Sequence, residues 1–378
     1  LYINKNMAVV NSILKQSGLT RFYGPGYVDS KTLKKGLSAF VDATGPYDIV
    51  IIDAVTLFWT KKNGADPLKG SFNYFSYSDI EHCFQDMIDF FLNSSKSIPH
   101  KVFYPNFDPY NVSNQQLELL ESTESYLLTR DSKFWLKKEQ MEDLEMEKFS
   151  NSVNDNWAEF IDKSGEKIVS FHGTVGEDEF KYHPLEFRSF DVAVPGVGYY
   201  NRAKALDNLK LVNNGIKLSL DGQGIKRKLR SRFFLLTQTR KSLSDYQETF
   251  FRTIEDSKMC FTCGSALGYS IRKFVEIPSR GGVLLCKPFA GFKHVGYLSG
   301  KNCFAVEPDT IGDRVTQLLG DMDELERVAR AGQEMVLDLH SFSSRVSQIR
   351  SMFESMIDND FEGSEWLDGN LNIIKARC

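Results

Sequence analysis

Residues 265–286, SALGYSIRKFVEIPSRGGVLLC, decide how this chain is read. An apolar run over 259–263 ends at Gly264 just before them. Small residues then open a stretch of helical period that carries Arg272 and Glu276. That stretch stops at Gly281 and Gly282, where a second apolar run begins. Strand, helix and strand in such quick succession form a βαβ unit, whose two strands must be parallel. Glycine lets backbone N–H groups come close to a ligand, and a helix start attracts anions. Arg272 and Glu276 stand four residues apart and so share a helix face. One can meet a phosphate or sugar oxygen while the other accepts hydrogen bonds from ribose hydroxyls. The plainer alternative is a salt bridge along the helix surface, and spacing by itself does not choose between them.

Outward from this stretch the same alternation recurs. Strands are expected at 47–53 (YDIVIID, apolar on both faces as a buried parallel strand should be), 101–104, 168–171, 190–196, 216–220, 282–286 and 303–306. Shorter apolar runs open the chain at 1–3 and 20–23. Helices are expected over 30–43, 79–92, 201–213, 245–256, 271–280, 311–319, 322–339 and 342–356. The fold class is therefore α/β, with the pattern of the first half repeated in the second. The break falls in the acidic loop 177–188. This gives a first unit over 1–185, a second over 186–345, and a helical segment over 346–378 that returns to the first unit. Residues 137–164 are polar and acidic, as a surface helix or insertion would be.

Composition narrows the function classes without choosing one. The chain has 378 residues, 46 Lys+Arg against 50 Asp+Glu, and 42% hydrophobic residues, which suits two globular units. A formal charge of −4 excludes the basic excess of a non-specific nucleic-acid binder, so no nucleic-acid partner is expected. Six scattered cysteines suit a reducing compartment. No apolar run reaches the roughly 18–20 residues that span a bilayer, and no signal peptide opens the chain. A cytoplasmic location is therefore expected. The start at Leu1, in mid-pattern, leads us to expect a module of a larger polypeptide.

The order of four segments resembles a known family: RKFVEIPSRGGVLL, FDVAVPGVGYYNR at 190–202, the strand and helix over 304–319, and LERVARAGQEMVLDLHSF at 325–342. They are similar to the donor-site half of GT-B glycosyltransferases, most of all the spore-maturation (CgeB-like) group and relatives near glycosyltransferase family 4. The resemblance covers about residues 165–350. It implies a GT-B fold, two Rossmann-like domains facing across a cleft. It further implies that Glu276 binds the ribose of a nucleotide-sugar, that Arg272 lies beside the donor, and that Gly196 lets the diphosphate approach. Arg202 or Lys204 would neutralise that diphosphate where such enzymes use no metal ion, so neither metal nor separate cofactor is expected. One departure stands out: retaining members near family 4 carry a Glu eight positions before the ribose Glu, and here that position is Gly268.

In the first half, Asp53 and Asp108 follow expected strands, where open α/β sheets place ligands. Asp108, in YPNFDPYN, is a candidate base for an acceptor hydroxyl, against the alternative of a turn-forming Asp before proline. His172, near the break, is a second candidate, against a satisfied structural histidine. Cys260 and Cys263 are expected in the core, because residues three apart on a strand face opposite ways and no further zinc ligands stand near. The stretch 226–241 holds seven cations around an apolar centre, which suits anionic lipid or a lipid-linked acceptor as well as a solvated helix. The expected reaction is transfer of a sugar, with a retaining course, from a nucleotide-diphosphate donor to a hydroxyl on a glycan, lipid-linked glycan or cell-surface polymer. Peripheral contact with the membrane is part of that expectation. The alternatives are a sugar-nucleotide epimerase or hydrolase, a non-catalytic glycan-binding module, and a two-domain ligand receptor.

Overall fold

A computed structural model describes residues 15–16, 20–24, 27–53, 86, 89–90, 93, 100–104, 114–123, 125–129, 156–196, 200–212, 215–220, 240–264, 270–289 and 291–376. Asp108, Gly268, most of the helix expected over 79–92 and the basic stretch 226–239 lie outside them. Among the described residues, no helix is long and apolar enough to cross a membrane.

The first sheet contains β1 (Ile49–Asp53), β2 (His100–Tyr104), β3 (Tyr126–Thr129) and β4 (Ile168–Ser170), all parallel and laid side by side in chain order. Parallel neighbours cannot be joined by a tight hairpin, so helices occupy the crossovers: α1 (Ser30–Thr44) before β1, α2 (Asn114–Ser122) and α3 (Asn156–Ser164) between strands. Asp29 caps α1, its Oδ1 accepting from the Thr32 N–H at 2.7 Å. Residues 20–23, expected as a strand, are irregular.

The second sheet is built from β5 (Phe190–Ala193), β6 (Leu218–Ser219), β7 (Ser257–Thr262), β8 (Val283–Cys286) and β9 (Phe304–Ala305), again all parallel. Their spatial order is β6-β5-β7-β8-β9. The helices are α4 (Tyr200–Leu211), α5 (Arg240–Glu255), α6 (Lys273–Ser279), α7 (Ile311–Leu319) and α8 (Met322–His340). Apolar residues lie on both faces of this sheet. Cys260 joins the core that holds Leu284 and Cys286, while Cys263 joins the one that holds Phe261 and Leu285. Both are buried free thiols, each on its own side of the sheet, as the two-residue period of a strand requires.

The C-terminal segment departs from the helical expectation. After α9 (Phe342–Ile357) the chain forms an antiparallel hairpin, β10 (Phe361–Leu367) with β11 (Asn370–Lys375). The reason lies in Asp368 and Gly369, with φ of 49° and 84°, a pair suited to the tightest hairpin turn. Burial alternates as a half-covered ribbon demands: Trp366 and Leu371 are in, while Glu365, Leu367 and Asn370 are out. The Trp366 indole donates to the Ser170 carbonyl at 2.9 Å, at the end of β4. Met352 and Met356 of α9, with Trp366, join Leu128 and Val169 of the first sheet and Ala193 and Leu284 of the second in one apolar cluster. The two sheets therefore share a core.

Arg345 of α9 sits at this junction, 1% exposed. Its Nε donates to Thr174 Oγ1 at 3.1 Å and its Nη2 to the His172 carbonyl and His340 Nδ1, both at 3.3 Å. His340 donates from Nε2 to the Val295 carbonyl at 2.8 Å, which leaves Nδ1 bare to accept from the arginine. Burial, and then the charge of Arg345, hold His340 down to about 3. Burial also lowers Arg345 to about 9. An unfolded histidine takes a proton near pH 6.5, whereas the folded one resists until about pH 3. Between those values the unfolded chain binds more protons, so stability is lost as pH falls. Thermal unfolding followed from pH 7 to pH 4 should show a decline approaching about 1.4 kcal/mol per pH unit from this one group. His340→Gln, which keeps a donor and an acceptor, should flatten that slope.

Candidate functional site

From β5 the chain goes to β6 on one side and later to β7 on the other, so the order reverses between β5 and β7. Open α/β sheets bind ligands in the crevice beyond the carboxyl ends of the strands at such a reversal. Gly196 follows β5 there, Cys263 follows β7 and Lys287 follows β8. Gly196 has φ of 101°, which side chains other than glycine's rarely adopt. A Cβ at this position would lie 2.4 Å from Lys273 Cε, 2.7 Å from Lys273 Nζ and 3.0 Å from Arg202 Nη1. Two cations from different helices thus press against one bare backbone position. Burial pushes the Cys263 thiol up, opposed by the neighbouring charges of Arg202, Lys273 and Lys287. The carboxyl edge of the sheet therefore has a local positive field that the whole-chain charge conceals.

Of the two cations expected beside Gly196, Arg202 is there and Lys204 is not. Arg202 is 1% exposed. Lys204 lies 3.5 Å from Asp309 Oδ2 and 4.7 Å from the centre of the Tyr200 ring, in a half-exposed cluster. The two residues leave α4 on opposite sides, since two positions turn a helix through about 200°.

Arg272 begins the turn into α6, and all three of its guanidinium nitrogens are engaged. Nη1 meets Glu276 Oε1 at 2.8 Å, Nη2 meets Glu179 Oε1 at 2.5 Å, and Nε donates to the Thr174 carbonyl at 3.3 Å. The salt bridge of the plainer reading is present, but it is half-buried and has a third member. Side-chain exposure is 14% for Arg272, 10% for Glu276 and 13% for Glu179. Glu276 is fixed through Oε1, while its Oε2 has no hydrogen-bond partner among the described residues. A carboxylate so oriented offers one preformed acceptor to a hydroxyl. Glu179 had no signal in the sequence beyond its place in the acidic loop, because its partner is 93 positions away. Lys273 adjoins Arg272, and only the fold shows that it faces Gly196.

His172 is placed as a structural histidine rather than a base. It is 5% exposed, with Nδ1 3.0 Å from Ser270 Oγ and Nε2 3.0 Å from Tyr297 OH. The Tyr297 hydroxyl gives its single proton to the Phe274 carbonyl, so it must accept from His172 Nε2–H, and Nδ1 accepts from Ser270. The ring also stacks on Phe289 and abuts His340, at centroid distances of 5.7 and 4.6 Å. Burial, then the charges of His340 and Arg345, hold it well below the usual histidine range. With both nitrogens committed and no charge to offer, His172 locks the approach to α6 onto the segment after β4. Phe289 and Tyr297 also wall a cavity of about 590 Å³, lined further by Phe292, Lys293, His294 and Ser299. Asp53 ends β1 opposite Tyr104, and its side chain, like all of Asp108, is outside the described residues.

Residues 202–351 match the family model described as Glycosyl transferase-like. That run holds Arg202, Arg272, Lys273 and Glu276, and begins beyond Gly196, Glu179 and His172. No curated protein matches the chain. Several solved structures are similar to it. HepE of Anabaena, in complex with UDP and glucose, has 10% identity and a TM-score of 0.43 over 68% of this chain and 72% of that one. A glycosyltransferase from Rickettsia africae has 11% identity and a TM-score of 0.49 over 93% and 88%. The sucrose-phosphate synthase of Thermosynechococcus elongatus has 11% identity and a TM-score of 0.45 over 91% and 82%. The chain is an α/β protein with two parallel sheets, and residues 202–351, in its second unit, are similar to a glycosyltransferase-like family.

Removing Arg272 strands one buried and one half-buried carboxylate. Arg272→Met should therefore cost about 3–5 kcal/mol in urea unfolding, whereas Lys204→Met should stay within about 0.5 kcal/mol of the parent.

Proposed function

We propose that the chain transfers a sugar from a nucleotide-diphosphate donor to a hydroxyl acceptor on a glycan or cell-surface polymer. The observation that carries this reading is the pairing of two opposite charges at the strand reversal. Glu276 on α6 is held through one carboxylate oxygen, the other having no hydrogen-bond partner among the described residues, and Arg202 is packed against the bare backbone of Gly196. A nucleotide-sugar has the complementary parts, a ribose diol to donate to a carboxylate and a diphosphate to meet a guanidinium.

In this reading the bond from the anomeric carbon to the diphosphate oxygen breaks with its electron pair on the phosphate side. The acceptor oxygen bonds to the anomeric carbon and gives up its proton to a base. Cationic side chains aimed at the departing oxygens stabilise the charge as it develops, with no metal ion in the role. Asp108 is our candidate for the acceptor-side base. Arg272 acts through Glu276, which it orients. A retaining course and kinship with the CgeB-like group and family 4 are supported by the order of segments from 190 to 342. Gly268 moves the contacts to the transferred sugar onto other residues. The cations of 226–241 suit a lipid-linked acceptor at the cytoplasmic face of a membrane.

Calorimetry with UDP, GDP, TDP, ADP and CMP tests the reading. One nucleotide class should bind, and Glu276→Gln should weaken it about tenfold while leaving the melting temperature close to the parent's. If none of the five binds, the proposal fails. Incubation with the matching sugar donor alone should give slow hydrolysis at most, and fast turnover without acceptor would point instead to a hydrolase or epimerase.

A further inference from the structure

We infer that Lys273 is a donor-binding residue: with Arg202 it forms a two-cation seat over Gly196 for the diphosphate of the nucleotide-sugar. The inference rests on the transferase reading above and assigns a group that neither the spacing of residues nor the family match singles out. Three observations converge on it. Lys273 Nζ and Arg202 Nη1 both lie within 3.0 Å of the single point where a Gly196 Cβ would stand. Lys273 opens α6, the helix after β7, and Arg202 lies on α4, the helix after β5, so the two strands that flank the reversal each deliver one cation. Finally, the Lys273 ammonium lies 5.6 Å from the centre of the Phe250 ring on α5, a cation–π contact that fixes where the flexible stem ends.

An anion placed against both cations is attracted to each of them at short range. A diphosphate suits such a seat better than a single carboxylate does, because it spreads its charge over two phosphoryl groups joined by one oxygen. Glu276 lies three residues along α6 from Lys273, so ribose and diphosphate contacts would come from one helix face. Substituting Gly196 would both strain the backbone and displace the two cations, which accounts for glycine at that position.

The test is equilibrium titration of the full chain with UDP, GDP, TDP and ADP, and with the corresponding nucleosides. For whichever nucleoside diphosphate binds, Lys273→Gln should weaken affinity about ten- to a hundredfold and leave nucleoside affinity unchanged. Lys273→Arg should keep most of the diphosphate affinity, and Lys204→Gln should keep all of it. Lys273→Met retains the stem against Phe250 and serves as a second charge-free variant should Lys273→Gln not fold. Undiminished diphosphate affinity in the folded charge-free variant would overturn the inference and leave the transferase reading standing. An equal loss of nucleoside and diphosphate affinity would also overturn it, since the residue would then act through the fold. A parent chain that binds no nucleoside diphosphate would sink the transferase reading itself, and the inference with it.

Discussion

Much of this structure depends on one guanidinium held between two carboxylates. Arg272 ties Glu276 on its own helix to Glu179 in the segment that follows the first sheet, and it also grips the Thr174 carbonyl of that segment. The three groups lose much of their water together, and the arginine is the member that compensates both carboxylates. Glu276 consequently keeps one orientation, and the start of α6 cannot drift from the segment that joins the units. His172 adds a second fastening a few residues away through Ser270 and Tyr297. Site geometry and the joint between the two sheets are thus set by the same few side chains.

The opposite edge of the second sheet is secured by a different device. Arg188 spends its donors on five backbone carbonyls, those of His183, Ile254, Ser257, Arg280 and Gly281. These surround the amino ends of β5, β7 and β8. Burial lowers the proton affinity of this guanidinium, and the charges of Glu326 and Glu255 only partly offset it. It satisfies carbonyls that would otherwise be buried without partners, which a smaller side chain could not reach. Loop chemistry at the carboxyl edge is therefore free to vary without loosening the sheet at its amino edge.

The strands of the second sheet were legible in the sequence because burial on both faces leaves unbroken apolar runs such as VLLC. The four-residue spacing of Arg272 and Glu276 was legible too, as was the separation of Cys260 from Cys263. What the sequence concealed has one common cause, partners distant along the chain. Glu179 reaches Arg272 across 93 positions, and Lys273 reaches Gly196 only because β5 and β7 lie side by side. The terminal hairpin was missed because α9 sets up a helical expectation that the alternation of 361–375 then breaks. His172 could not be assigned a role until both its ring nitrogens had named partners.

That hairpin touches the candidate site's surroundings at its tip. The Gly369 N–H donates to the His294 carbonyl at 2.8 Å, and a Cβ on Gly369 would lie 2.2 Å from Leu339 Cδ1 and 3.4 Å from the Gly296 Cα. A Cβ on Gly296 would meet the same leucine methyl at 3.0 Å and the Gly369 Cα at 3.3 Å. Three positions from three separate parts of the chain therefore compete for one small volume. Sequence drift at any of them must be answered at the others, so 296, 339 and 369 should change in concert among descendants of this chain. The loop that walls the aromatic cavity inherits its shape from the last turn of the polypeptide.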